Sequence, residues 1–298
     1  MKEIGRLITA MVTPFDEEGR VDYEQAKRLA LALLDSGSDG VILSGTTGES
    51  PTLSTNEKLR LFSEVKGAVG DKGAVLGGAG TYNTAESIEL SKEAERAGVD
   101  GLLLVVPYYN KPPQEGLYQH FKAIAGNVHL PCMVYNVTSR TSLNMTHETT
   151  IRLSEIENIV GVKEAGSDMD QITRIIDGAK PGFLVWSGND NETFPIMAMG
   201  GYGVVSVVSH LVGNQIKHMM GLLMDGDMEG AAAEHRRLLP LFKALFIVSN
   251  PIPVKYALNQ VGFKVGGPRL PLVPPDPNSA AQLDQMLQRY KVDLPVPA

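Results

Sequence analysis

Glu157-Asn-Ile-Val-Gly-Val-Lys-Glu-Ala-Gly166 is a short apolar run that ends in one lysine and is soon closed by a glycine. Read as a barrel strand, it buries Ile159, Val160 and Val162 and carries the Lys163 side chain to the strand's carboxyl end. An ammonium is costly to desolvate, so a lysine in such surroundings has its pKa drawn toward neutrality. The free amine is the nucleophile needed for a Schiff base with a carbonyl compound. The competing reading is a strand that emerges into solvent with Lys163 on its rim. The rest of the chain weighs between the two.

Eight strand–helix units can be read outward from that stretch. Leu7 to Val12 is the first strand, and Asp22 with Gln25 starts a helix in a capping-box pattern. Gly37-Ser-Asp-Gly-Val-Ile-Leu43 is turn then strand, and Ser54 with Glu57 is a second capping box ahead of the stripe Leu59, Phe62, Val65. Val75 to Ala79 is the third strand, and Asn83 with Glu86 caps the third helix. Gly98-Val-Asp-Gly-Leu-Leu-Leu104 then echoes the pattern at Gly37, as a βα repeat does. Further strands fall at Cys132–Tyr135, Ile159–Lys163, Phe183–Trp186 and near Gly203–Val207. Helical segments lie around 115–125, 146–153, 169–176 and 192–199. The strands are continuously apolar, which suits a sheet covered on both faces. The count predicts a closed (β/α)8 TIM barrel over residues 1–225. No Gly-x-Gly-x-x-Gly follows the first strand, against a dinucleotide fold. Helices beyond the barrel are read at 211–225, 228–247, 252–260 and 280–290, giving a C-terminal helical region over 226–298. A frayed tail is expected from Leu294.

Composition narrows the function classes. The chain has 298 residues, 43% hydrophobic and 20% charged, with a formal charge of −7. That balance supplies no basic field for nucleic acid or anionic membrane. The single cysteine, Cys132, allows no intrachain disulfide and fits a reducing compartment; its apolar run marks it as a structural thiol. The first residues pass directly into a strand pattern without the apolar core of a signal peptide, and no stretch has the length of a membrane span. The expected location is the cytoplasm.

In a (β/α)8 barrel the chemistry sits at the carboxyl ends of the strands. Those ends collect Thr13, Gly45 to Ser50, Pro107 to Asn110, Tyr135, Asn136, Arg140, Lys163, Ser187 to Asn189 and Val205 to Ser209. The set is rich in hydroxyls and holds no His, Cys and carboxylate cluster at metal-ligand spacing, so a metal-independent carbonyl chemistry is the natural reading. Gly45-Thr-Thr-Gly-Glu-Ser-Pro51 reads either as a small anion cradle or as an ordinary glycine turn with capping threonines. Without the lysine of a phosphate loop, its partner is a carboxylate sooner than a nucleotide. Tyr135 is a proton relay or rim packing, and Arg140 a bidentate carboxylate grip or a surface ion pair. The six histidines do not converge and read as surface or packing residues.

Taken together, Gly45-Thr-Thr-Gly-Glu-Ser50, Pro107-Tyr-Tyr-Asn-Lys-Pro112, Tyr135-Asn-Val, Arg140-Thr, Gly161-Val-Lys-Glu-Ala165, Ser187-Gly-Asn-Asp190 and Asn250-Pro-Ile-Pro-Val-Lys-Tyr-Ala257 resemble the dihydrodipicolinate synthase family of pyruvate-dependent class I lyases and aldolases. The resemblance spans Ile4 to Pro274. It implies that Lys163 captures pyruvate as a Schiff base, with no cofactor and no metal. It also implies a relay of Thr47, Tyr135 and Tyr109, with Tyr109 reaching into a neighbouring subunit. Thr46 and Thr47 would hold the pyruvate carboxylate, Arg140 would hold that of L-aspartate 4-semialdehyde, and Gly188 and Val205 would supply backbone contacts. The implied assembly is a homotetramer, a dimer of dimers.

Two positions depart from the family pattern. Thr138 stands where proline is usual and Ser142 where glycine is usual, both beside the second-substrate pocket. An allosteric cleft for lysine would involve Ser50, Glu86 and Tyr108. There Thr55, Lys58 and Tyr82 replace the polar residues of inhibitable relatives, so weak or absent inhibition is expected. The alternatives kept open are a related 2-oxo-acid aldolase and a barrel that binds a metabolite without turnover.

Overall fold

Eight apolar runs form the strands: β1 Leu7–Ala10, β2 Gly40–Leu43, β3 Ala74–Gly78, β4 Gly101–Val105, β5 Cys132–Asn136, β6 Ile159–Glu164, β7 Leu184–Ser187 and β8 Gly203–Ser206. They pair in parallel in sequence order, and β8 returns to β1, closing the barrel. This is a computed structural model, and it describes residues 4–296. Alternate strand residues separate into two buried layers. Ile8, Ile42, Leu76, Leu103, Met133, Trp186 and Val205 fill the barrel. Leu7, Val41, Val75, Leu102, Val134 and Val204 pack outward against the helices.

The helices are α1 Tyr23–Asp35, α2 Thr55–Val69, α3 Thr84–Arg96, α4 Gln114–Ala125, α5 Thr138–Thr141, α6 His147–Ser154, α7 Met169–Gly178, α8 Thr193–Ala198, α9 Ser209–Met224, α10 Met228–Ala244, α11 Ile252–Gln260 and α12 Pro277–Leu287. The capping box at Ser54 and Glu57 is complete, and Asn83 caps α3. At α1 only half of the predicted box forms. Asp22 accepts from the Gln25 backbone, but the Gln25 side chain turns away to donate to the Lys264 carbonyl. The echo between 37 and 98 has a structural counterpart. Asp39 accepts the backbone N–H of Leu7 and Asp100 that of Val75, so each aspartate ties down the start or entry of the neighbouring strand.

Two expectations change. The helix expected beyond the barrel at 211–225 is α9, which packs on β1, α1 and α8 and serves as the eighth barrel helix. Leu294 does not begin a frayed tail: it is buried in the outer core, and Asp293 donates its N–H to the Leu211 carbonyl. The last two residues of that expected tail, and Met1 to Glu3, lie outside the described residues.

One irregularity matters to the site. The β5–β6 register runs Cys132 to Ile159 and then Met133 to Gly161, so Val160 is an extra residue. Such a bulge reverses the inward–outward alternation of everything after it. Ile159 packs outward, Val160 and Gly161 lie toward the interior, Val162 packs outward again, and Lys163 points inward. A Cβ on Gly161 would stand 2.6 Å from the Trp186 ring, so glycine is required there.

Candidate active site

Lys163 lies at the end of β6, opposite Tyr135 of β5 and Trp186 of β7. It is 5% exposed. Its Nζ sits 4.1 Å from the centre of the Tyr135 ring. Burial draws its pKa down to about 8, against the opposing pull of the Asp190 carboxylate. A pKa drawn down this far leaves a fraction of the free amine at neutral pH. Among the readings left open by sequence, the solvent-exposed rim lysine is excluded. Tyr135 is buried too; its phenol is pushed up to about 12 by burial, with a hydrogen bond from Thr46 and the Arg140 charge pulling the other way.

The loop after β2 supplies the hydroxyls. Its sharp course puts Ser44 and Glu49 at φ of 54° and 55°. Gly48 is needed because a Cβ there would stand 2.9 Å from the Ser44 nitrogen. Thr13 Oγ1 donates to the Gly48 carbonyl at 2.7 Å. The two threonines diverge: Thr46 bears on the Tyr135 phenol and lowers its pKa, whereas Thr47 is buried and its Oγ1 receives Nδ2 of Asn250 at 2.9 Å. Glu49 is anchored from the C-terminal region. Lys255 Nζ, on a side chain 1% exposed, reaches Glu49 Oε1 at 2.8 Å and the Gly267 carbonyl at 2.9 Å. The Arg269 backbone N–H donates to Glu49 Oε2 at 2.9 Å.

Thr46, Ser50, Tyr108, Tyr135 and Arg140 line one cavity of about 240 Å³. That volume suits small acids and is too small for a nucleotide. Arg140 is carried on α5 and holds Asn250's carbonyl at 3.0 Å with Nη2. The departures at 138 and 142 acquire a backbone meaning here. Thr138 is the first residue of α5, where proline is favoured, and Ser142 caps its end at φ 53°, where glycine is favoured. Neither lines the cavity.

Other predicted residues fall outside this group. Tyr109 is 92% exposed at φ 70° and does not line the cavity. Gly188's N–H is committed to the Glu164 carbonyl at 2.7 Å, and Val205 is a fully buried interior residue of β8. Tyr108 meets Tyr82 edge to face at 5.1 Å, and Glu86 bears electrostatically on both Tyr108 and Lys58. His210, fully buried, accepts the Val12 N–H and bonds the Val207 carbonyl, so it joins the ends of β1 and β8.

Sequence reasoning gave no role to Asn250, Lys255, Glu49, Asp190 or Glu164. Asp190 accepts from Ser206 and from the N–H groups of Val207 and Val208, and burial still pushes its carboxyl up. Glu164 points away from Lys163 toward α7; burial raises it to about 7 against hydrogen bonds from Asn136, Gly166 and Gln171. The only sequence signal for Asn250 and Lys255 was their place in a family motif. Among the described residues, no group of three or more His, Cys, Asp or Glu is arranged to hold a metal, and no helix is long and apolar enough to cross a membrane.

A closed (β/α)8 barrel with a desolvated lysine at the end of its sixth strand, packed on Tyr135, is the frame of a class I pyruvate-dependent lyase or aldolase. The comparisons agree: the model of the Dihydrodipicolinate synthetase family matches residues 3–290, and the chain belongs to that family. It is 59% identical over 296 residues to the 4-hydroxy-tetrahydrodipicolinate synthase of Dehalococcoides mccartyi (strain CBDB1), covering 99% of this chain and 100% of that protein. The crystal structure of dihydrodipicolinate synthase from Bacillus anthracis superposes with a TM-score of 0.95 at 44% identity, over 97% of this chain and 99% of that one. That of the Cyanidioschyzon merolae enzyme, with lysine bound, gives 0.95 at 47% identity, over 96% and 98%.

Proposed function

We propose that this protein is a 4-hydroxy-tetrahydrodipicolinate synthase, condensing pyruvate with L-aspartate 4-semialdehyde on Lys163 in the diaminopimelate route to lysine. The observation that carries the reading is a buried amine with a pKa of about 8 packed on Tyr135, which lines a cavity together with Arg140. Lys163 adds to the ketone of pyruvate, water leaves, and the iminium acidifies the methyl group, whose proton is taken up through the hydroxyl relay. The resulting enamine carbon attacks the aldehyde. The amine of the new chain then displaces Lys163 by transimination and closes the ring.

The relay hydroxyl in this reading moves from Thr47 to Thr46, because Thr46 lines the cavity with Tyr135 and Thr47 does not. Thr46 passes protons with Tyr135, while both threonines bind the pyruvate carboxylate. Tyr109 joins the relay from a neighbouring copy within a homotetramer; its exposed ring is free to do so. Gly188, its N–H already engaged, offers its carbonyl near Lys163, and Val205 its backbone. Barrel and C-terminal helices, divided near residue 225, act as one unit in this scheme, since Asn250 and Lys255 reach the loop at 46–50.

The direct test is pyruvate consumption with and without L-aspartate 4-semialdehyde. Consumption only with the aldehyde is expected; consumption with a different aldehyde alone would assign the protein to a related aldolase. Arg140→Ala is expected to lower kcat/KM for the aldehyde roughly tenfold to a hundredfold through its KM, the value of a charged hydrogen-bonded contact. Arg140→Lys should recover only part of this, lacking the planar fork. An unchanged aldehyde KM would remove Arg140 from the site.

Lysine inhibition is expected to be weak or absent. Lys58 stands within the electrostatic reach of Glu86, the carboxylate that an incoming lysine's ammonium would use. A titration of activity with L-lysine checks this, and strong inhibition at micromolar concentration would refute it.

A further inference from the structure

We infer that Asn250 is a positioning residue that sets the hydrogen-bonding direction of Thr47, turning its hydroxyl into a donor for the pyruvate carboxylate, while the same residue's carbonyl holds Arg140. The inference rests on the lyase reading above and goes beyond it, to a residue that touches no reacting atom.

The Nδ2 group of Asn250 only donates, so Thr47 Oγ1, 2.9 Å away, must accept. A hydroxyl has one hydrogen. With its oxygen satisfied by Asn250, Thr47 keeps that hydrogen for another acceptor, and a carboxylate can only accept. The arrangement carries a cost. Asn250 is 6% exposed, and its Oδ1 is buried with no hydrogen-bond partner among the described residues. A buried acceptor left unpaired calls for a reason, and keeping Nδ2 on Thr47 supplies one.

The rest of the residue fixes the geometry. Its carbonyl receives Arg140 Nη2 at 3.0 Å. Five positions on, Lys255 grips Glu49, two residues after Thr47. One short segment at the start of α11 therefore holds the pyruvate loop at two points and the guanidinium assigned to the second substrate at a third. The side chain acts on the first substrate only, because the carbonyl that holds Arg140 survives any substitution.

The test uses the intact protein and two readouts. Borohydride trapping of pyruvate on Lys163 follows the first half-reaction without the aldehyde, and steady-state turnover gives both KM values. Asn250→Ala and Asn250→Asp are expected to raise the pyruvate concentration for half-maximal trapping about tenfold or more, with the aldehyde KM within about twofold of the parent. In a Thr47→Val background, Asn250→Ala should add nothing, because it acts through Thr47. A folded Asn250→Ala with unaltered half-saturation overturns the inference, as does a lowered thermal midpoint with unaltered half-saturation, the mark of a purely structural role. Additive effects with Thr47→Val overturn it as well. An unchanged Asn250→Asp would mean that an acceptor faces Thr47, which also refutes it; should the aspartate not fold, the alanine decides. Failure of the parent protein to trap pyruvate would instead refute the lyase reading, so the two failures are distinct.

Discussion

Lys163→Ala is expected to abolish borohydride-trapped adduct with pyruvate and to lower turnover at least about a thousandfold, because the covalent electron sink is lost with its amine. Intact-mass measurement after reduction and a steady-state assay check it; a trapped adduct in the variant would remove Lys163 as the nucleophile. The parent protein carries a pH signature of the same claim. Only the free amine attacks, and the folded pKa is about 8. At subsaturating pyruvate the trapping rate should rise about tenfold per unit on approaching pH 8 from below and level above it. A profile that kept rising to pH 10 would mean an amine with an ordinary pKa, and burial would have no part in activating it.

The second large effect is on stability. Lys255→Ala leaves Glu49 fully buried without its cation, in a loop already bent into a left-handed turn. Removing one partner of a buried ion pair typically costs about 3–5 kcal/mol. For a chain of this size that is a fall in thermal midpoint of roughly 10 °C. The paired replacement Glu49→Gln with Lys255→Met should recover much of the loss, since neither charge is then left unpaired. Calorimetry on the three proteins decides. A single variant within about 2 °C of the parent would show that the pair contributes little. The same lesion loosens the loop that carries Thr46 and Thr47, so half-saturation by pyruvate should rise along with the loss of stability.

Both predictions concern groups whose importance has different visibility in the sequence. Lys163 was readable because an apolar run ending in lysine is costly and therefore informative. The barrel was readable for a related reason: strands buried on both faces must be apolar throughout, and capped helices follow the first three in a short repeat. Ser54 with Glu57 and Asn83 announced their helices because caps act within four residues.

What depends on contacts distant along the chain was not readable. Nothing local tells that Gln25 abandons its own helix cap for Lys264, or that α9 belongs to the barrel wall. Thr46 and Thr47 are adjacent and chemically identical, and only the folded loop sets one in the cavity with Tyr135 and gives the other to Asn250. The pairing of Lys255 with Glu49 spans most of the chain, and a motif containing both residues of the C-terminal clasp gave no hint of their partners.

The sequence by itself determined the eight-unit barrel, the strand-end lysine and the hydroxyl-rich rim, because periodicity, caps and the cost of burying charge are properties of neighbours. The tertiary structure alone decided which way Lys163 points. One extra residue, Val160, opposite β5 reverses the phase of β6, and without that bulge the same strand would turn its lysine outward toward the helices. A side-chain period of two makes the face of every later residue depend on a register that only the partner strand can fix.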